Sequence, residues 1–242
     1  MSKNISVIIP IYNEFENVKK IIENLMYVEN VYEVIFVDGA GDKCSEEYIN
    51  KMSEKINIKY IRSDKGRAVQ MNTGYRNSTG DIVFFLHCDS VIEKDVLVKI
   101  ENAVTEKNVE FGCLSIYFDD NRLLMRICGH QSRKRAVKRK IAFGDQGMFF
   151  TREMFNKLNG FKEMPIMEDY DLSIRAKEIQ EVVQIDSKII TSSRKYYSGK
   201  GIWNKGILSW IGVLLTMYDM QVFQKQFRDG VSPKQIVKEY YK

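Results

Sequence analysis

Residues 65–89 read KGRAVQMNTGYRNSTGDIVFFLHCD, and the order of elements in this stretch decides the fold class. Arg67 to Arg76 reads as a helix, and Ile82 to Leu86 is wholly apolar, as a strand buried on both faces must be. Outward from this helix and strand the same grammar repeats. Strands are expected at Ser6 to Ile9, Val34 to Val37 and Lys59 to Ile61, with helices at Glu16 to Met26 and Ser45 to Lys55 between them. Alternation of this kind predicts an α/β chain whose mainly parallel sheet is flanked by helices and binds ligands at the carboxyl ends of its strands.

Beyond Ser90 the alternation loosens, and a mixed sheet is expected. Lys94 to Thr105 reads as a helix, Cys113 to Phe118 and Met148 to Thr151 as strands, and Glu168 to Lys177 as a short helix. Val182 to Ile185 and Lys188 to Thr191 read as two further strands, and Leu208 to Phe223 and Pro233 to Tyr240 as terminal helices. A chain of 242 residues that is 44% hydrophobic can bury one sizeable core. Its net charge of +5 is local, because Arg133, Lys134, Arg135, Lys138, Arg139 and Lys140 leave the remainder at −1. Cys44, Cys88, Cys113 and Cys128 form no C-x-x-C pair, which suggests reduced thiols and a cytoplasmic setting. The apolar run Ile5 to Ile9 is too short for a signal peptide, and Ile207 to Met217 falls short of the ~20 residues that cross a bilayer.

The polar residues after each strand are the candidate site. Pro10-Ile11-Tyr12-Asn13-Glu14 places a ring and two polar side chains at the lip of the sheet, a platform for a base and ribose. Asp38 follows the second strand, with Gly39 and Gly41 allowing a tight turn, and is expected to be free to accept from a base N–H or a ribose hydroxyl. Taken alone, Asn13-Glu14 is also an adequate helix start and Asp38-Gly39 an ordinary turn. Lys65-Gly66-Arg67 opens a helix whose free N–H groups and cations suit a diphosphate, although a solvated helix start would look the same. His87 and Asp89, two apart at the end of a buried strand, should point the same way and could hold a metal. Magnesium or manganese prefers oxygen, so Asp89 is the firmer ligand and His87 the weaker.

Read in order, SVIIPIYNE, Val37-Asp38-Gly39, KGRAVQMNTGYRNSTGDIVFFLHCD and MEDYDLSIR resemble family 2 glycosyltransferases of the GT-A fold. Within that family the chain is similar to a small subgroup with His in the usual first Asp-x-Asp position and a GDQG segment, here Gly144 to Gly147. The resemblance reaches to about Gly206. It implies a Rossmann-like GT-A domain over residues 1–206, with a nucleotide-binding half at 1–90 and an acceptor half at 91–206, and a helical extension at 207–242 packed on it. It further implies that Asp38 contacts the nucleobase, that His87 lies near the ribose, and that Asp89 binds a divalent ion, Mn2+ or Mg2+. Asp169 would be the general base, with Glu168 orienting it, in an inverting transfer from a nucleoside diphosphate sugar, a UDP-linked one expected. Gly144, Asp145 and Gln146 would form an acceptor-side loop, and Arg194 and Lys195 would contact the diphosphate. No Q-x-x-R-W motif is present, so transfer of one sugar is expected rather than polymer extension.

The run Arg133 to Lys140 reads first as a solvated helix face and second as a contact for a phosphorylated or lipid-linked acceptor. Nucleic acid is not an expected partner, since no aromatic residue interleaves the cations. Trp203, Lys205, Trp210 and Tyr218 give the last long helix the look of a helix packed on the sheet or on a second subunit, or of one lying at a membrane interface. Two other classes remain as alternatives. A sugar nucleotidyltransferase would need a Gly-rich, Arg-containing loop after the first strand, where Pro10 to Glu14 stands instead, and a non-catalytic carbohydrate-binding protein would have no need of Asp89 and Asp169.

Overall fold

The computed structural model describes residues 2–197 and 209–240, and places eight strands in one mixed sheet of order β3-β2-β1-β4-β7-β6-β8-β5. Its first half is parallel: β1 (Ile5–Ile11) lies between β2 (Glu33–Asp38) and β4 (Ile82–Phe85), with β3 (Ile58–Arg62) outside β2. The connecting helices are α1 (Phe15–Leu25), α2 (Lys43–Met52) and α3 (Arg67–Arg76). Side-chain alternation along β1 sorts the core. Ile5, Val7, Ile9 and Ile11 join Val18, Ile22 and Ile49 of α1 and α2 on one face, whereas Ile8 packs with Ala68 and Met71 of α3 on the other. Gly74 lets α3 sit close to the sheet, since a Cβ there would lie 2.4 Å from Ile8.

The second half changes direction. β7 (Met148–Thr151) runs antiparallel to β4 and to β6 (Phe111–Phe118), while β6 runs parallel to β8 (Val183–Thr191), and β5 (Val91–Ile92) closes the edge antiparallel to β8. The two strands expected at 182–185 and 188–191 are one strand. β8 carries an irregularity in which Cys113 pairs with Gln184 but Ser115 with Lys188, yet burial alternates on through exposed Asp186 and buried Ser187, and it is this polar residue at an inward position that divides the apolar pattern. The short β5 and the helix α6 (Arg152–Lys157) have no counterpart in the sequence reading, while α4 (Val96–Lys107) and α7 (Glu168–Lys177) fall where expected.

A buried carboxylate ties the amino end of the sheet together. Glu33 is 1% exposed and accepts from Ser6 Oγ at 2.7 Å, Thr79 N at 2.6 Å and Lys59 Nζ at 2.9 Å. Burial alone would push its pKa up, but these bonds outweigh burial and bring it down to about 2.

The basic segment forms the long helix α5 (Leu123–Arg139), and a short turn of helix, α8 (Arg194–Tyr197), follows β8. The chain ends in α9 (Ser209–Arg228) and α10 (Pro233–Tyr240). Both pack on the sheet domain: Met125, Cys128 and Val213 join α5 to α9, and Phe223 and Ile236 meet Met167 and Tyr170 at the start of α7. Trp203, Lys205 and the expected boundary near 206 lie outside the described residues, as do the side chains of Lys195 and Trp210. No helix among the described residues is long and apolar enough to cross a membrane.

Candidate active site

A cleft of about 740 Å³ opens at the carboxyl ends of β1 and β4, where a mainly parallel sheet should bind its ligand. One wall comes from Pro10, Tyr12 and Glu14 after β1 and from Lys65, Gly66 and Arg67 at the start of α3. His87, Cys88 and Asp89 beyond β4, Asp145, Glu168 and Asp169, and Arg194 line the same cavity. Residues scattered over the sequence therefore share one cavity.

Their local geometry corrects several expectations. His87-Cys88-Asp89 is a turn beyond β4, closed by Ser90 N donating to His87 O at 3.2 Å, so strand alternation is not what aims the two side chains. Asp38 is fully buried and outside the cleft lining. Its carboxylate accepts from Ala40 N and Asp42 N, each at 2.7 Å, and from Tyr60 Oη at 2.8 Å, so it shapes the loop after β2 and is not the free acceptor expected. Gln146 is likewise fully buried: its Oε1 accepts from Phe143 N at 3.2 Å and from Arg135 Nη2 at 3.3 Å, closing the Gly144–Gln146 turn instead of facing an acceptor. Tyr12 is 40% exposed, and Lys65 Nζ sits 4.5 Å from its ring centroid, so the aromatic platform carries a cation on its face.

Asp169 is held by backbone donors. Gly144 N donates to its Oδ2 at 2.8 Å and Tyr170 N to its Oδ1 at 2.7 Å. Gly144 is also where His87 arrives: a Cβ on this glycine would lie 2.9 Å from His87 Nε2 and 3.3 Å from Asp169 Oδ2. Glu168 is 3% exposed and pairs with Arg67 Nη1 at 3.3 Å, linking the starts of α3 and α7. Met167, just before Glu168, holds φ 71 while 5% exposed, a left-handed conformation that a bulky side chain adopts only under constraint.

Burial first, then the charge of Glu14, pushes the Asp89 carboxyl up from its ordinary range, with Arg194 opposing. A cation beside Asp89 would relieve both effects. Among the described residues no three His, Cys, Asp or Glu side chains come together as a metal cage. Magnesium and manganese do not require one here, since one or two carboxylates plus substrate phosphates suffice. The side chains present thus fit a divalent ion brought in with a diphosphate, which Asp89 would hold from the protein side.

Comparison with known proteins fits this geometry. The profile of the family described as "Glycosyl transferase family 2" matches residues 6–158, which takes in the cleft wall from Pro10 to Gly147. The chain belongs to glycosyl transferase family 2. A probable glycosyltransferase of Bacillus subtilis, YdaM, is 22% identical over 83% of this chain and 53% of its own length. A dolichol-phosphate mannosyltransferase of Pyrococcus furiosus is 30% identical over 41% of this chain and 30% of its own length. The chain spans roughly one third to one half of the length of such relatives. Among solved structures, the Pyrobaculum calidifontis mannosyltransferase PcManGT, in complex with GDP-Man and Mn2+, matches with a TM-score of 0.67 at 18% identity, covering 97% of this chain and 67% of that one. Staphylococcus aureus TarS in complex with UDP-GlcNAc matches with a TM-score of 0.65 at 16% identity, over 84% of this chain and 62% of that one. These likenesses establish the GT-A fold for this family 2 chain.

Three features of the family 2 site escaped the sequence reading. Gln70, 4% exposed, donates from Nε2 to Ile11 O at 2.7 Å and Val37 O at 2.8 Å, bracing the ends of β1 and β2 beneath the cleft. Met217 and Met220 of α9 line the far end of the cavity. Arg135 leaves its basic run and enters the cleft, as its neighbours do not: Arg133 donates to Ile116 O at 2.6 Å over the Tyr117 ring, and Lys134, Lys138 and Arg139 are exposed. A run of charges in sequence does not reveal which member turns inward; only helical phase against the sheet does.

Proposed function

We propose that this chain is an inverting glycosyltransferase that moves one sugar from a nucleoside diphosphate sugar to a hydroxyl acceptor. The observation that carries the reading is that Asp89 and Asp169 open on the same cleft, with Lys65, Arg67 and Arg194 around it. The cations and the α3 amino end suit the diphosphate, while Tyr12 and Pro10 suit the base and ribose. A divalent ion at Asp89 would stabilise the charge that develops on the leaving diphosphate. Asp169 takes the proton from the acceptor hydroxyl, whose oxygen forms the new bond to the anomeric carbon as the bond to the diphosphate oxygen breaks. The Gly144 and Tyr170 N–H groups hold that carboxylate in one orientation. A UDP-linked sugar is our first choice of donor.

A panel of UDP- and GDP-sugars tested by thermal shift with and without manganese, followed by nucleotide release, checks the reading. Asp169→Asn is expected to lower transfer roughly 10²- to 10⁴-fold with donor binding kept. Full transfer by that variant would remove Asp169 as base. We also propose peripheral contact with anionic membranes, supported by exposed Leu123 and Ile127 on α5 and Leu214, Leu215 and Tyr218 on α9. Failure to co-sediment with anionic vesicles at low salt would end that idea.

A further inference from the structure

Arg135 is a guanidinium in search of an anion. It lines the cleft from α5, yet among the described residues its buried Nε has no hydrogen-bond partner and no carboxylate forms an ion pair with it. Its contacts are a long bond from Nη2 to Gln146 Oε1 at 3.3 Å and the Phe143 ring, 4.2 Å from the guanidinium carbon. Burial pushes it below the ordinary arginine range, an effect that the charges of Asp145 and Asp169 partly offset. The side chain as a whole is partly exposed, but a guanidinium nitrogen buried without a partner is costly unless something arrives to meet it.

Its neighbours show what could arrive. Gln131 and Ser132 stand one turn earlier on the same helix and also line the cleft, so neutral donors flank the cationic fork. A tetrahedral phosphate, with several acceptor oxygens, can use a guanidinium, a hydroxyl and an amide together. One more turn back, Cys128 meets Met217, its Sγ 3.0 Å from that Sδ, so the same helix face turns apolar away from Arg135. Geometry sets this cation beside the proposed base: Arg135 packs on the ring of Phe143, and the next residue, Gly144, donates its N–H to Asp169.

We propose that Arg135 binds a phosphate group carried by the acceptor, next to the hydroxyl that Asp169 deprotonates. The proposal rests on the transferase reading above and names the acceptor class for it. Two sources share this chemistry, a water-soluble sugar or polyol phosphate and a lipid whose headgroup carries a free hydroxyl beside its phosphate, with the chain following Cys128, Met217 and Met220; hexyl phosphate serves as a binding probe for the phosphate and chain together.

The test uses the whole chain, first titrated with UDP and GDP in the presence of manganese, then, saturated with the nucleotide that binds, titrated calorimetrically with glycerol 3-phosphate, hexyl phosphate, glycerol and hexanol. We expect both phosphates to bind and the two neutral alcohols not to. Arg135→Gln should weaken phosphate binding at least about tenfold and Arg135→Lys less, while Lys138→Gln, on the exposed side of α5, stays within about twofold. Tighter binding of hexyl phosphate would point to the lipid source, and equal binding to the soluble one. Nucleotide binding without phosphate capture, or equal capture by Arg135→Gln, overturns the proposal. So does an Arg135→Gln variant whose nucleotide affinity falls as much as its phosphate affinity, since Arg135 would then serve the donor. Failure of wild-type protein to bind any nucleotide instead sinks the transferase reading itself.

Discussion

Adding one methyl group at Gly144 tests whether His87, Gly144 and Asp169 work as a unit. The Gly144→Ala Cβ would lie 2.9 Å from His87 Nε2 and 3.3 Å from His87 Cε1 and Asp169 Oδ2, where ordinary contact begins near 3.4 Å. The imidazole must therefore retreat by roughly 0.5 Å, or the turn must move and disturb the 2.8 Å bond from Gly144 N to Asp169. Overpacking of this kind costs about 1–3 kcal/mol of stability. Since a misplacement of about 1 Å can cost 10²-fold in rate, a shift half as large should lower turnover roughly tenfold to a hundredfold. Pro10, Tyr12 and Lys65 are on another wall, so nucleotide affinity by thermal shift should stay within about twofold. Turnover is read as nucleotide release with the identified donor. A folded Gly144→Ala protein with wild-type turnover would show that the close approach at this glycine is irrelevant to the chemistry.

Two further outcomes follow from carboxylates whose pKa values the fold shifts, Glu33 and Asp89. Glu33 is bound more tightly as an anion in the fold, so its contribution is full above pH 4.5 and is lost as pH falls toward about 2. Glu33→Gln should cost roughly 3 kcal/mol at neutral pH in urea unfolding, and the gap to wild type should narrow through that window; a gap independent of pH would contradict the assignment. Asp89 shifts the opposite way, so its ionised form weighs on the metal-free fold once the pH is above its raised pKa. Asp89→Asn should therefore raise the Tm of the metal-free protein at neutral pH while abolishing the additional stabilisation by manganese with nucleotide, and an unchanged manganese effect would remove Asp89 as ligand.

The first half of the sheet was legible because its inner strands β1, β2 and β4 are buried on both faces and read as largely apolar runs, as in Ile82 to Phe85, whereas the edge strand β3 is half-exposed. The edge of the sheet was harder. In β8 an inward position is filled by a serine, Ser187, which divides the apolar period, and the two-residue β5 is too short to show one. Cleft residues that follow a strand or start a helix, such as Asp89 in the turn beyond β4 and Asp169 at the start of α7, stand where sequence position directs attention. Asp38 shows the limit of that logic, since a carboxylate after a strand can be turned back into its own loop by two N–H groups and a tyrosine. Arg135 and Gln70 depend on contacts between distant segments, which no local pattern encodes.

Tyr170 follows the proposed base Asp169 directly, and its ring stacks on Phe143 while Arg228 Nη1, at the end of α9, donates to its hydroxyl at 2.7 Å. Both Asp169 and this support lie beyond residue 158, where the match to the family profile stops. A chimera that exchanged the last thirty or so residues as an inert tail would therefore take away the outer brace of α7. Grafts between relatives of this chain should carry α7, α9 and α10 across as one inheritance unit.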